Sequence, residues 1–156
     1  MRHYGERVFE AGREDPYLAT GKYGEPTKCS GCGAVFHRGR WQWGDAPANA
    51  AVAVCPACRR IHDRMPAGTV LLDGPFVAGH RDELVRLVRN TAEREGREHA
   101  LHRLMQVVEM PDRVVVETTD IHLPQRIGEA LESAYDGKLD VRYGDHEYTA
   151  RVHWRR

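Results

Sequence analysis

An α+β fold is expected for this 156-residue chain: a small four-cysteine zinc module of ribbon or treble-clef type, attached to a β-α-β-β-α-β-β sandwich of ferredoxin-like character. Three observations predict it. Two Cys-x-x-Cys pairs, Cys29-Ser30-Gly31-Cys32 and Cys55-Pro56-Ala57-Cys58, stand in the first half of the chain. Behind them, two segments carry apolar residues at helical period, and short β-branched runs bounded by turn residues lie around those segments. The composition, 41% hydrophobic and 29% charged, is a globular mixture rather than the profile of a disordered chain.

The chain divides into an N-terminal arm (1–27), a zinc module (28–66) and an α+β body (67–156). The arm mixes charges with Gly5, Gly12, Gly21, Gly24, Pro16 and Pro26 and shows no sustained period, so it reads as an extended arm, either a disordered terminus or one that binds a partner or wraps the core. Its apolar anchors are Val8, Phe9, Tyr17 and Leu18. In the module, Val35-Phe36 and Trp41-Gln42-Trp43 are β-prone, and a short helix is expected after Cys55.

The body opens with a strand over Thr69–Leu72, closed by Gly74-Pro75. Between His80 and Glu95, Leu84, Leu87, Val88 and Ala92 form a helical stripe. A strand over Met105–Glu109, a turn at Pro111-Asp112 and a strand at Val114–Val116 make a hairpin. Thr118, Thr119 and Asp120 offer capping oxygens to a second helix with Pro124 in its first turn and Ile127, Ala130, Leu131 and Ala134 on one face. Lys138–Tyr143 alternates, Gly144-Asp145 turns, and Tyr148, Ala150, Val152 and Trp154 share one face of a last strand.

Twenty-three basic residues balance 23 acidic ones, so no global field directs the chain to nucleic acid or membrane. The charge is segregated instead. Residues 28–64 carry Lys28, Arg38, Arg40, Arg59, Arg60 and Arg64 against Asp45 and Asp63, whereas residues 109–140 are predominantly acidic. No apolar stretch is long enough to span a bilayer and the start lacks a signal peptide's apolar core, which makes the cytoplasm the expected address and leaves no membrane partner.

Reduced thiols in the cytoplasm are metal ligands or redox centres more often than disulfides. Two pairs at this separation match four-cysteine zinc spacing. Cys29, Cys32, Cys55 and Cys58 complete a tetrahedral shell with no open position, the signature of a structural site. The same knuckles also resemble rubredoxin, where iron carries electrons, although Arg59 stands where such knuckles have glycine.

Between the knuckles, His37-Arg38-Gly39-Arg40-Trp41-Gln42-Trp43 interleaves cations with aromatic rings, the composition of an RNA-contacting hairpin. Arg38, Arg40, Trp41, Arg59 and Arg60 are the RNA-contact candidates. The alternative is that Trp41 and Trp43 face one side of a strand and pack the module onto the body. No histidine sits in a catalytic motif, so an enzyme is not expected.

The two cysteine pairs, Leu72-Asp73-Gly74-Pro75-Phe76 with the following helix, and the segment from Thr118-Thr119-Asp120 to Trp154 resemble the zinc-bearing N-terminal region of the large-ribosomal-subunit export adaptor family and its short bacterial relatives. The resemblance implies a non-catalytic cytoplasmic zinc protein that contacts RNA and associates with the ribosome. This chain departs from the adaptors in carrying one four-cysteine site and no further domains, so nuclear export does not carry over. Two other classes stay open at this point: a zinc-stapled protein-interaction module, homodimeric or with another partner, and the rubredoxin-like iron electron carrier.

Overall fold

The computed structural model of the protein describes residues 15–19 and 23–156. The expectations for Val8 and Phe9 lie outside those residues. One helical turn, α1 (Pro16–Ala19), precedes a four-stranded sheet built from β1 (Thr27–Cys29), β2 (Val35–His37), β3 (Arg40–Gln42) and β4 (Ala51–Ala53), in the order β3-β2-β1-β4. β1 runs parallel to β4 and antiparallel to β2. Arg38 and Gly39, both at positive φ, make the tight turn whose twist suits the β2–β3 hairpin. The helix α2 (Pro56–Asp63) closes the module, with the second cysteine pair at its start.

The module's own apolar core is small. Tyr23, Phe36 and Trp41 pack as a ring cluster with centroids 4.9, 4.9 and 5.5 Å apart. Ala100 and Leu101 of the body complete that core, so the two parts share packing.

The body follows the expected order of elements: β5 (Gly68–Asp73), α3 (Pro75–Glu98), β6 (Leu104–Glu109), β7 (Arg113–Thr118), α4 (Leu123–Tyr135), β8 (Lys138–Tyr143) and β9 (Ala150–Arg155). Alternation decides which side of each strand is buried. Val70 and Leu72, Val114 and Val116, and Val152 and Trp154 face inward from β5, β7 and β9 and meet Leu84 and Val88 of α3 and Ile127 and Leu131 of α4. The opposite sheet face carries Arg113, Arg151, Arg155 and other polar residues, as one-sided packing requires.

The strand order is β6-β7-β5-β9-β8. β7 lies between β5 and β6 and antiparallel to both, the split β-α-β arrangement of ferredoxin-like sheets. The departure is at the other edge, where β9 inserts between β5 and β8 and runs parallel to β5. The body is therefore a five-stranded α+β sandwich with an inserted strand, not a plain ferredoxin-like sheet. Among the described residues, no helix is long and apolar enough to cross a membrane.

A close approach within the body and a loop against the module position the site. A Cβ on Gly68, at the start of β5, would collide with Pro124, the Thr118 hydroxyl and the Asp120 carbonyl, so only glycine lets β5 pass under that loop. Glu95 and His99, at the end of α3, lead into the loop 99–103 that lies against the module.

Candidate metal centre

Each cysteine pair is placed by local backbone geometry. Gly33, at φ +82°, turns the chain after Cys32, and its N–H donates to the Cys29 carbonyl at 3.0 Å. A Cβ on Gly31 would come within 2.9 Å of the Cys58 sulfur, so the loop hugs the second pair because it has no side chain there. Cys55 caps α2 and accepts the Cys58 N–H at 3.4 Å, with Pro56 opening the helix. The helix N-terminus favours a thiolate at this place, but burial outweighs it.

The four sulfurs converge, all within 4.8 Å of one another, and all four thiols are free. Cys32 Sγ and Cys55 Sγ lie 3.7 Å apart. Metal–sulfur bonds of about 2.3 Å in a tetrahedron imply sulfur separations of about 3.8 Å, so the cradle has the size of one metal ion. The four residues singled out by sequence are thus brought together as one closed donor set.

Donors around the sulfurs tune them. Burial opposes ionisation of Cys29, but the N–H groups of Cys55, Cys32 and Gly31 outweigh it and bring the thiol down to about 6. Burial pushes Cys32 and Cys55 up. An ion entering the cradle therefore displaces protons, and its apparent affinity falls as pH falls.

One further donor comes from the body. Arg103, in the loop before β6, directs Nη2 to Cys55 Sγ at 3.1 Å and to Cys58 Sγ at 3.5 Å. Four thiolates around a divalent ion leave two negative charges, and this guanidinium offsets part of them. The Thr118-Thr119-Asp120 segment holds it there. Thr119 Oγ1 accepts the Arg103 N–H at 3.0 Å and donates to the Leu101 carbonyl at 2.6 Å, while the Thr119 N–H donates to the Arg103 carbonyl at 2.9 Å. Asp120 caps α4 by accepting the N–H groups of His122 and Leu123 at 2.8 and 3.2 Å. Replacing Arg103 with Gln is expected to weaken metal binding about 10- to 100-fold, the usual cost of losing an outer-shell partner, measured by competition with a chromophoric chelator.

The remaining sequence candidates separate into two groups. Arg38, Arg40 and Arg59 are exposed. Trp41 and Arg60 are not. Trp41 is 6% exposed because it points inward from β3 onto Tyr23 and Phe36. Arg60, 5% exposed, lies on the inner side of α2, where Nη2 pairs with Asp15 at 2.7 Å and Nη1 donates to the Met65 carbonyl at 3.0 Å. Both are removed from any RNA-contacting surface. Their burial also gives the described part of the arm a role: Asp15 pairs with Arg60, the Tyr17 ring lies 4.3 Å from its guanidinium, and the Tyr17 hydroxyl donates to Asp63 at 2.9 Å.

Trp43 takes a different course from Trp41. β3 ends at Gln42, so Trp43 leaves the strand, stays 42% exposed and donates its indole N–H to the Gly96 carbonyl at 2.6 Å. It lines a cleft of about 650 Å³ between module and body together with Arg89, Ala92, Glu93, Arg97, Arg103 and Leu104. The sequence signal for this cleft was confined to Trp43 itself, because Arg89, Arg97 and Arg103 lie far along the chain.

No family, curated protein or solved structure matches the chain.

Proposed function

We propose that this is a non-catalytic, cytoplasmic zinc protein that contacts RNA and associates with the ribosome. The zinc assignment follows from the donor set: four converging thiolates in a closed shell suit zinc, leave no position for substrate, and make the ion a staple for a module with little core of its own. The observation that carries the RNA reading is the cleft between module and body. It combines an exposed indole face with the cations Arg89 and Arg97, the latter shared with Glu93 at 3.4 Å, the pairing of stacking platform and phosphate partners that unpaired RNA needs, while Arg103 at its floor is engaged by the thiolates. The hairpin that leads into Trp43 adds Arg38 and Arg40 on its exposed side. The resemblance to the export adaptor family points the same way and names the ribosome as the source of that RNA.

Each phosphate contact contributes about 0.7 to 0.9 to the slope of log affinity against log salt, so Arg38→Ala with Arg40→Ala is expected to flatten that slope by about 1.4 to 1.8. Binding to host ribosomal RNA, measured across a salt series, checks it. An unchanged slope removes this pair from the interface, and no binding at low salt removes the RNA reading.

The protein-interaction reading has its own observation. Val52, Val54, Ile61 and Met65, on and beside β4 and α2, are 71%, 40%, 42% and 55% exposed, and β4 is an edge strand. A concentration-dependent dimer without affinity for RNA would favour it. An iron-loaded, red protein would favour the rubredoxin-like reading, since the zinc form is colourless.

A further inference from the structure

A second group of metal-ligating side chains lies outside the four-cysteine centre. Glu95 is in the last turn of α3, His99 ends that helix, and His102 follows in the loop; one oxygen or nitrogen of each falls within 4.8 Å of the others. The carboxylate of Glu95 and the ring of His102 are largely withdrawn from water, at 13% and 16% exposed, while His99 is exposed. The three line the wall of a polar cleft of about 520 Å³ that also presents His122, Gln125 and Arg126.

The arrangement around His102 is what marks this as more than a polar patch. Its Nε2 lies 3.3 Å from Oδ2 of Asp120, which is 3% exposed and held by two backbone N–H groups of α4. Its Nδ1 lies 3.1 Å from Oε2 of Glu95. A neutral imidazole carries one proton. If Nε2–H donates to Asp120, the Nδ1 lone pair faces the Glu95 carboxylate, and a second proton or a metal ion must sit between those two acceptors, with Arg126 Nε 4.0 Å from the same Glu95 oxygen. A carboxylate on the far nitrogen of a histidine is also the common outer partner of a metal-bound imidazole, fixing its tautomer and orientation. The His99 ring is stacked beside that of His102 at 4.5 Å between centroids, so its nitrogens reach the same space.

We propose that Glu95, His99 and His102 form a second metal site, for a single divalent transition ion of the zinc class, with Asp120 positioning His102 and at least one coordination position open to the cleft. Two imidazoles exclude the hard cations calcium and magnesium, which take oxygen ligands. Two histidines and a carboxylate make a three-ligand set of the kind that leaves a position for water or a ligand. The donors, within 4.8 Å of one another, must close to the separation of about 3.4 Å that zinc imposes, and the exposed His99 has room to turn. The site is chemically distinct from the thiolate centre and does not depend on the RNA reading.

The full chain, stripped of metal and refilled with zinc or cobalt(II), provides the test. Wild type is expected to take up two ions per chain. The first gives the intense sulfur-to-cobalt charge-transfer bands of the thiolate centre, and the second gives only weak ligand-field bands. Glu95→Gln and His99→Ala should each weaken the second ion's binding at least tenfold while leaving the first ion's spectrum unchanged, with circular dichroism verifying the fold. Asp120→Asn should weaken it about 10- to 100-fold if Asp120 acts through His102. Uptake of one ion per chain by the wild type would overturn the proposal, in which case a proton alone sits between His102 and Glu95. So would a second ion whose affinity is the same in Glu95→Gln and His99→Ala, since that ion would then be bound elsewhere.

Discussion

Cys55→Ser is expected to abolish metal binding at the four-cysteine centre and to unfold the module while the body remains folded. Cys55 is fully buried, it caps α2, its sulfur receives the Cys58 N–H and the Arg103 guanidinium, and it lies 3.7 Å from the Cys32 sulfur. Removing it therefore breaks the shell, the helix start and the link to the body together. Structural zinc contributes on the order of 10 kcal/mol to small modules, and the ring cluster of Tyr23, Phe36 and Trp41 is too small to replace that. The body has its own core between the sheet and two helices, so helical circular dichroism should persist while dispersion of module resonances is lost in a proton–nitrogen correlation spectrum. Acidification should mimic the mutation. Burial keeps Cys32 and Cys55 protonated at neutral pH, so the ion displaces at least these two protons. Apparent affinity should then drop at least about 100-fold for each unit of pH lost, and rise again as pH is restored. A module that keeps its fold and its metal in Cys55→Ser would contradict this account.

Trp154→Ala is expected to cost the body about 3 to 5 kcal/mol, the range for removing a buried large aromatic side chain. Trp154 is the largest fully buried side chain, at 0% exposed, and it stands on the inserted strand β9 against Phe76 and Tyr135. Its indole N–H donates to the Asp136 carbonyl at 2.7 Å, tying β9 to the end of α4. Truncation would leave a cavity and release the tie to the Asp136 carbonyl. The midpoint of urea unfolding reads the loss, and it should fall with little change in slope. A variant within 1 kcal/mol of wild type would mean that β9 is not a central strand of the core.

The order of elements in the body was legible because each is encoded locally. The alternation of Lys138–Tyr143 matches β8 residue for residue, and the stripe of Ile127, Ala130, Leu131 and Ala134 falls on α4. The place of β9 in the sheet was not legible, since it rests on the pairing of Val70 with Val152 across most of the body. β1 and β4 were missed for a related reason. Thr27-Lys28-Cys29 and Ala51-Val52-Ala53 are each only three residues long, too short a run to show alternation, and become strands by pairing with each other and, for β1, with β2.

The same contrast holds at the metal centre. The cysteine pairs announce themselves through spacing, because a knuckle needs both ligands within a few residues. Arg103 bears on the same sulfurs from another part of the fold and leaves no local trace. Trp41 and Trp43 look equivalent by a period of two, yet they diverge because β3 stops between them. Arg59 and Arg60 look equivalent as neighbours, yet a helix turns one to solvent and the other onto Asp15.

If a zinc staple holds the proposed RNA-contacting surface, RNA binding depends on zinc, and one titration tests this most directly. Zinc is withdrawn from the full chain with a chelator and returned while zinc content, Trp fluorescence and binding to host ribosomal RNA are followed on the same sample. The account predicts that RNA binding falls in step with loss of zinc from the thiolate centre and recovers when zinc is returned. RNA binding that survives complete removal of zinc, or that is absent from the fully loaded protein at low salt, would contradict it.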